Sequence, residues 1–175
     1  MSGEKLQRYL ARARLAGVEA SLLPVEELPA ALGQIIGGSG FSRVVLSDFP
    51  DAADLGEVTK EALLGAGCTL LGRGECENAD LGVTFCENFV AATGSLIVRS
   101  DIPGAMLGSL LPAVHLAISR AGGCLEDLPE LLEIFKNSLP SRFGLITGPS
   151  RTGDIEATMT TCVHGPGRVL HLIVE

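Results

Sequence analysis

The sequence predicts an α/β fold: an open, mostly parallel sheet with flanking helices. Three observations carry this prediction. Short β-branched runs alternate with segments whose apolar residues recur at helical spacing. Glycine-rich turns stand where these segments meet, and neither an internal repeat nor a linker-like stretch divides residues 1–175, which therefore read as one domain. The composition agrees. With 46% apolar and 19% charged residues the chain has the balance of a packed domain, because disordered chains combine low hydrophobicity with high charge. The 22 glycines exceed the roughly 12 expected at about 7% usage, which suits a tightly turned sheet.

Residues 1–16 form the first element, an amphipathic helix with Leu6, Tyr9, Leu10 and Ala13 on one side. Pro24 opens a second helical pattern through Leu28, Leu32, Ile35 and Ile36, which the Gly37–Gly40 turn stops. Arg43 to Ser47 reads as a buried strand. Asp54 and Glu57 predict a capping box for a helix through Val58, Ala62 and Ala66, ended by Gly65 and Gly67 before a strand at Cys68–Leu71. That strand–helix–strand order implies parallel strands and a right-handed crossover.

From residue 79 the pattern changes. Phe89–Ala92 and Leu96–Val98, separated by Thr93-Gly94-Ser95, predict a hairpin. A short helix at Met106–Leu111 closes at Pro112, and Val114–Ile118 is a strand. Asp127 and Glu130 predict a capped helix with an apolar stripe of Leu128, Leu131, Leu132 and Phe135. A strand at Gly144–Thr147, a turn at Pro149, a helix from about Thr152 and a strand at Val169–Val174 complete the chain.

Charge and cysteine usage bound the function. A net charge of −8, with no Trp and one Tyr, argues against neutralising a phosphate backbone or stacking single-stranded bases, so no nucleic-acid partner is expected. No run approaches the roughly 20 apolar residues of a membrane span, so no membrane role is expected. The five cysteines, Cys68, Cys76, Cys86, Cys124 and Cys162, form no CxxC pair, so neither zinc nor an iron–sulfur cluster is expected in this chain. Their odd number, with no secretory signal, predicts a cytoplasmic protein.

The usual nucleotide and hydrolase signatures are missing. Gly72-Arg73-Gly74 and Gly165-Pro166-Gly167 lack the third glycine of a dinucleotide fingerprint, and Gly148-Pro149-Ser150-Arg151-Thr152 misses a nucleophile elbow by its last residue. The most informative stretch runs from Gly148 to Glu156. It follows a strand, turns tightly and is expected to open a helix at the carboxyl edge of the sheet, where Ser150, Arg151, Thr152 and Asp154 suit a small anion. Capping of that helix by Ser150 or Thr152 is an equal alternative. Thr93, Gly94 and Ser95 fit either a backbone-lined pocket wall or an ordinary turn. His164, in a loop before the last strand, is the histidine most suited to touch ligand, whereas His115 and His171 have the surroundings of packed core residues.

Three segments together resemble a known family. They are Ala79–Thr84 leading to Ala91–Leu96, then Leu110–His115, then Gly148–Glu156 followed by His164-Gly165-Pro166. In order and spacing they are similar to the LUD-domain family, in its lactate utilization C branch, over about residues 79–175. The resemblance implies a fold like that of glucosamine-phosphate deaminases, ribose-phosphate isomerases and CoA transferases. It implies a part in bacterial L-lactate oxidation to pyruvate beside partner subunits that carry iron–sulfur clusters, with a small carboxylate or phosphate as ligand. Family members often have an acidic residue before the Thr-Gly pair. Here Ala92 stands there, which removes a proton-transfer group at that position. Two functions follow as expectations: a component of a lactate utilization system, offering a small-anion pocket or an assembly surface, or a free-standing sugar-phosphate or acyl-transferring enzyme of the same fold.

Overall fold

A computed structural model describes residues 2–136, 138–153, 159–161 and 165–175. Six parallel strands form the main sheet, in the order β1 (Val18–Leu23), β12 (Arg168–Val174), β7 (Val114–Arg120), β4 (Leu81–Phe85), β2 (Arg43–Leu46) and β3 (Thr69–Leu71). A second sheet holds β8 (Cys124–Leu125), β5 (Phe89–Val90), β6 (Ser95–Arg99) and β9 (Phe143–Ile146), and β10 (Arg151–Gly153) pairs with β11 (Met159–Thr161). The helices are α1 (Ser2–Leu15), α2 (Leu28–Ser39), α3 (Ala53–Gly65), α4 (Ala105–Leu110) and α5 (Leu128–Phe135).

The strand registers sort the core into two faces. Gly82 and Thr84 of β4, His115, Ala117 and Ser119 of β7, and Val169, His171 and Ile173 of β12 share one face. This face is covered by α1, whose Tyr9 reaches His171, by Phe89 of the second sheet, whose ring centroid lies 5.0 Å from that of His171, and by α4. The approach of α4 is so close that a β-carbon on Gly82 would stand 1.8 Å from the Gly108 carbonyl oxygen. The opposite face carries Leu81, Val83, Phe85, Leu116 and Ile118. There Phe49 lies between Phe85, 5.2 Å away, and Gly56 of α3, and α2 packs on α3. In α1 the expected stripe of Leu6, Tyr9, Leu10 and Ala13 is buried, as are Leu28, Leu32 and Ile36 of α2.

The structure departs from the sequence-based expectations in four places. Asp54 caps nothing: Ala52 is the residue before α3, and the Asp54 carboxylate instead accepts from Arg120 at 2.7 Å. The strands β1 and β4 were not among the expected elements: Gly82 interrupts the β-forming run of β4, whereas the apolar–polar alternation of β1 is itself a strand pattern. The strand near residue 144 and the hairpin at 89–99 build a separate mixed sheet. No helix opens at Thr152. Arg151–Gly153 is extended and pairs antiparallel with Met159–Thr161, consistent with β-branched Thr152, Thr160 and Thr161. By contrast Asp127 does cap α5, its Oδ1 accepting from the Glu130 amide at 3.1 Å.

Candidate functional site

The three segments singled out in the sequence meet in space. The β5–β6 turn carries Thr93, Gly94 and Ser95, and the end of β9 delivers Thr147 beside it. Ser95 donates to Thr93 Oγ1 at 2.7 Å and lies 2.7 Å from Thr147 Oγ1, so with its one proton used Ser95 accepts from Thr147. The next residues bend toward the loop before β12. The Ser150 amide donates to the Pro166 carbonyl at 2.8 Å, and the Gly167 amide donates to the Ala113 carbonyl at 3.0 Å. The exposed Arg151 side chain passes Gly17, whose absent β-carbon would lie 3.0 Å from Nη2.

This cluster stands at the amino edge of the parallel sheet, contrary to the carboxyl edge expected from the sequence. Gly17, Ala113 and Gly167 are the residues just before β1, β7 and β12. The reason is the direction of β9: it runs in the second sheet, antiparallel to β6, and so deposits residues 147–151 at the opposite end from a parallel strand. Among the described residues no helix supplies the amides invoked for anion binding, and the Ser150 N–H is already satisfied. Gly94 and Gly148 have φ of 72° and 98°, and β-carbons there would fall 2.6 Å from the Ala13 nitrogen and 2.1 Å from the Ala16 carbonyl oxygen. Gly94 therefore admits the backbone of α1, and Gly148 that of the turn after it. The main chain of Thr152 lies in β10, whereas Asp154 and His164 fall outside the described residues, as does Cys162.

His115 and His171 are buried core groups, as expected, and their hydrogen bonds fix a state. Ser119 donates to the Cys86 carbonyl at 2.6 Å, so it accepts from His171 Nε2, 2.8 Å away, and His171 Nδ1 is left to accept from the Tyr9 hydroxyl at 2.7 Å. One proton-ordered chain thus ties α1 to β12, β7 and the end of β4. His115 Nε2 lies 2.8 Å from Thr84 Oγ1, and its Nδ1 has no partner among the described residues. Burial pushes both imidazoles down to about 3, with His115 adding to the shift of His171. Burial likewise raises the Cys86 thiol to about 12 and Cys124 to about 11. Thiols held protonated in this way are poor nucleophiles and poor metal ligands. Among the described residues no three His, Cys, Asp or Glu side chains are placed to hold a metal ion.

The carboxyl edge holds an arrangement that the sequence did not disclose. The chain leaves β2 through α3 toward β3 on one side, and β4 leads away toward β7 on the other, so the strand order reverses between β2 and β4. In open α/β sheets such a crevice is the usual ligand position. Ser47, just past β2, accepts from the Phe85 amide at 2.9 Å and donates to the Asp48 carbonyl at 3.0 Å. Asp48 pairs with Arg73, and a groove of about 480 Å³ is lined by Ser47, Asp48, Phe49, Lys60, Asp101 and Pro103. Nearby, Arg99 is clamped between Glu87 at 2.9 Å and the two oxygens of Asp101 at 3.0 and 2.6 Å. Its guanidinium also lies 5.7 Å from the centre of the Phe135 ring. Arg99 holds Asp101 below the usual carboxylate range by hydrogen bonding. The one local signal in the sequence was a polar residue directly after each apolar run, Ser47-Asp48 and Glu87.

Comparison with known proteins supplies the context. The family model described as the LUD domain matches residues 71–174. Lactate utilization protein C of Bacillus licheniformis is 31% identical over 105 residues, which cover 57% of this chain and 44% of that protein. The protein of the same name in Bacillus subtilis is 29% identical over 107 residues, covering 58% of this chain and 45% of its own length. Uncharacterized protein YkgG of Escherichia coli is 32% identical over 107 residues, covering 58% and 46%. The matched segment thus spans less than half the length of these curated relatives. A crystal structure of a DUF162 family protein from Deinococcus radiodurans superposes with a TM-score of 0.72 at 21% identity, covering 100% of this chain and 99% of that one, and shows the same fold.

Proposed function

The chain belongs to the LUD domain family, and from that membership we propose that it is a component of a bacterial lactate utilization system, working in the cytoplasm beside iron–sulfur subunits that carry the electrons. The observation that supports this reading is the identity of about 30% to lactate utilization proteins C over 57–58% of the chain. The described cysteines Cys68, Cys76, Cys86 and Cys124 are free and buried, which is compatible with a reducing compartment. No helix among the described residues is long and apolar enough to cross a membrane.

Two contributions to such a system are open to this chain. A small-anion pocket at the amino edge would use the Thr93, Ser95 and Thr147 hydroxyls and Arg151, together with Gly94, Gly148, Ser150, Thr152, Asp154 and His164. An assembly surface would use the exposed apolar residues discussed below. Deletion of the gene in a host with no parallel pathway should abolish growth on L-lactate, and unchanged growth would refute the reading. The pocket is tested separately, by thermal shift with lactate, pyruvate and phosphate. An anion-dependent rise in Tm that Arg151→Ala removes supports it, and the absence of any shift leaves assembly as the contribution. Steady turnover of a sugar phosphate or acyl-CoA by the isolated chain would instead favour an independent enzyme.

A further inference from the structure

We propose that β9 is a self-complementary edge through which two copies of this chain pair across a two-fold axis at Gly144. The inference is independent of the lactate reading. It begins with the direction of the backbone groups. Ser100 donates to the Arg142 carbonyl at 3.0 Å, and the Ile97 amide donates away from β9, to Asn88 of the β5 side, at 3.1 Å. With the register Leu96↔Ile146, Ile97↔Leu145, Val98↔Gly144 and Arg99↔Phe143, the N–H and C=O groups of Gly144 and Ile146 point toward β6. Those of Phe143 and Leu145 therefore point away from the sheet, along an edge where no strand follows among the described residues.

Two donors and two acceptors spaced two residues apart are their own complement when a second copy runs antiparallel. A two-fold axis at Gly144 places Phe143 opposite Leu145 of the second copy and Leu145 opposite its Phe143, and each of these pairs exchanges two N–H···O bonds. Gly144 then faces Gly144 of the second copy in the narrow, non-hydrogen-bonded position, where strands approach to about 4.5 Å between Cα atoms. On the outer face Phe143 stands beside Leu145 of the second copy, an aromatic–aliphatic cross-strand pair.

The side chains at this edge lack the usual protection. Unpaired edges are normally blunted by charge, proline or shortness. The edge strand β1 has exposed Glu19 and Ser21, and β8 is two residues long. By contrast, Phe143-Gly144-Leu145-Ile146 carries no charge. Phe143 is 37% and Leu145 45% exposed, flanked by Leu139 at 69% and by Leu107 at 51%, next to the Met106 that Gly144 faces. Together these four side chains leave roughly 350 Å² per copy, about 700 Å² for a pair before the backbone strip is counted, below the roughly 1,200 Å² of stable specific interfaces and in the range of weak, transient contacts. The pairing is accordingly weak and concentration-dependent. Each copy carries −8, so added salt strengthens it by screening.

Sedimentation equilibrium of the intact chain, from low micromolar to millimolar concentration, tests the proposal. Wild type should pass from the one-chain toward the two-chain mass, more readily at high salt, and Leu145→Lys should remain at the one-chain mass with an unchanged circular dichroism spectrum. Amide exchange of the wild type keeps the test valid if that variant misfolds. On concentration the Phe143 and Leu145 amides should slow, by about tenfold once nine-tenths of the chain is paired, while Gly144 and Ile146 are protected at every concentration. A chain that stays monomeric throughout, or a dimer that leaves Phe143 and Leu145 exchanging freely, overturns the proposal. Capture of a foreign strand by an otherwise monomeric chain would likewise overturn it in favour of a heterologous partner.

Discussion

Lowering the pH should unfold this protein through its buried histidines, and replacing one of them should remove a measurable share of the effect. His115 and His171 are neutral in the folded state with pKa values near 3, against 6.5 for a free imidazole. The folded state therefore binds fewer protons than the unfolded chain between those limits, and stability falls as pH drops through that window and is flat above it. Each histidine supplies a slope of roughly 1.4 kcal/mol per pH unit. At two units below 6.5 the pair removes roughly 5 kcal/mol, comparable to the whole stability of an ordinary domain. His115→Leu takes away one titrating group. At pH 7 the variant should be about 1 kcal/mol less stable, from the lost Thr84 hydrogen bond. Near pH 4.5 it should be the more stable protein by about 2 kcal/mol, because its curve falls less steeply. Carboxylates held low by partners, such as Asp80 beside Arg43 and Asp54 beside Arg120, also cost stability in acid, but equally in both proteins. Urea unfolding at a series of pH values measures the difference. Tyr9 is the only tyrosine and there is no Trp, so intrinsic fluorescence reports the docking of α1 alone. A constant gap between the two proteins from pH 7 to pH 4.5 would refute the reasoning, as would a native imidazole signal titrating near 6.5.

Other outcomes follow from single contacts. Gly94→Ala combines a left-handed φ with a collision against the α1 backbone, and should cost at least ~2 kcal/mol by thermal unfolding, whereas Gly37→Ala, in a helix with open space around it, should be neutral or stabilising. Tyr9→Phe leaves His171 Nδ1 buried without its donor and should cost about 1–3 kcal/mol in urea unfolding followed by circular dichroism. Asp127→Ala removes the cap of α5 and should cost about 1 kcal/mol, most visibly as faster amide exchange at Glu130.

How much of this was readable in advance differs by element. Helices with a continuous apolar stripe were legible, because the 3.6-residue period is local: Leu6, Tyr9, Leu10 and Ala13 of α1 are all buried as their spacing requires. Of the two acid-led caps, Asp127 holds and Asp54 does not, since a distant residue, Arg120, competes for the Asp54 carboxylate. Of the two strands not expected, β4 is broken by Gly82, where the close approach of α4 admits no side chain, while β1 carries a local signal in the alternation of Val18 and Ala20 with Glu19 and Ser21. Of the candidate site residues, Thr93 and Ser95 share hydrogen bonds with Thr147, and Ser150 meets Gly165 and Pro166. Their edge of the sheet was not legible, since the direction of β9 decides which edge they reach.

The sequence by itself determined the layers, the glycine turns, the neutral burial of the histidines and the kinship of residues 71–174 to the LUD domain. Those follow from local periodicity and from short motifs, which a linear text can hold. Only the tertiary structure decided that Gly94 and Gly148 receive the backbone of α1 and of the turn after it, that a groove opens past the carboxyl end of β2, and that β9 presents unpaired backbone groups. Each of these depends on which distant segments lie side by side, and no short-range pattern encodes that.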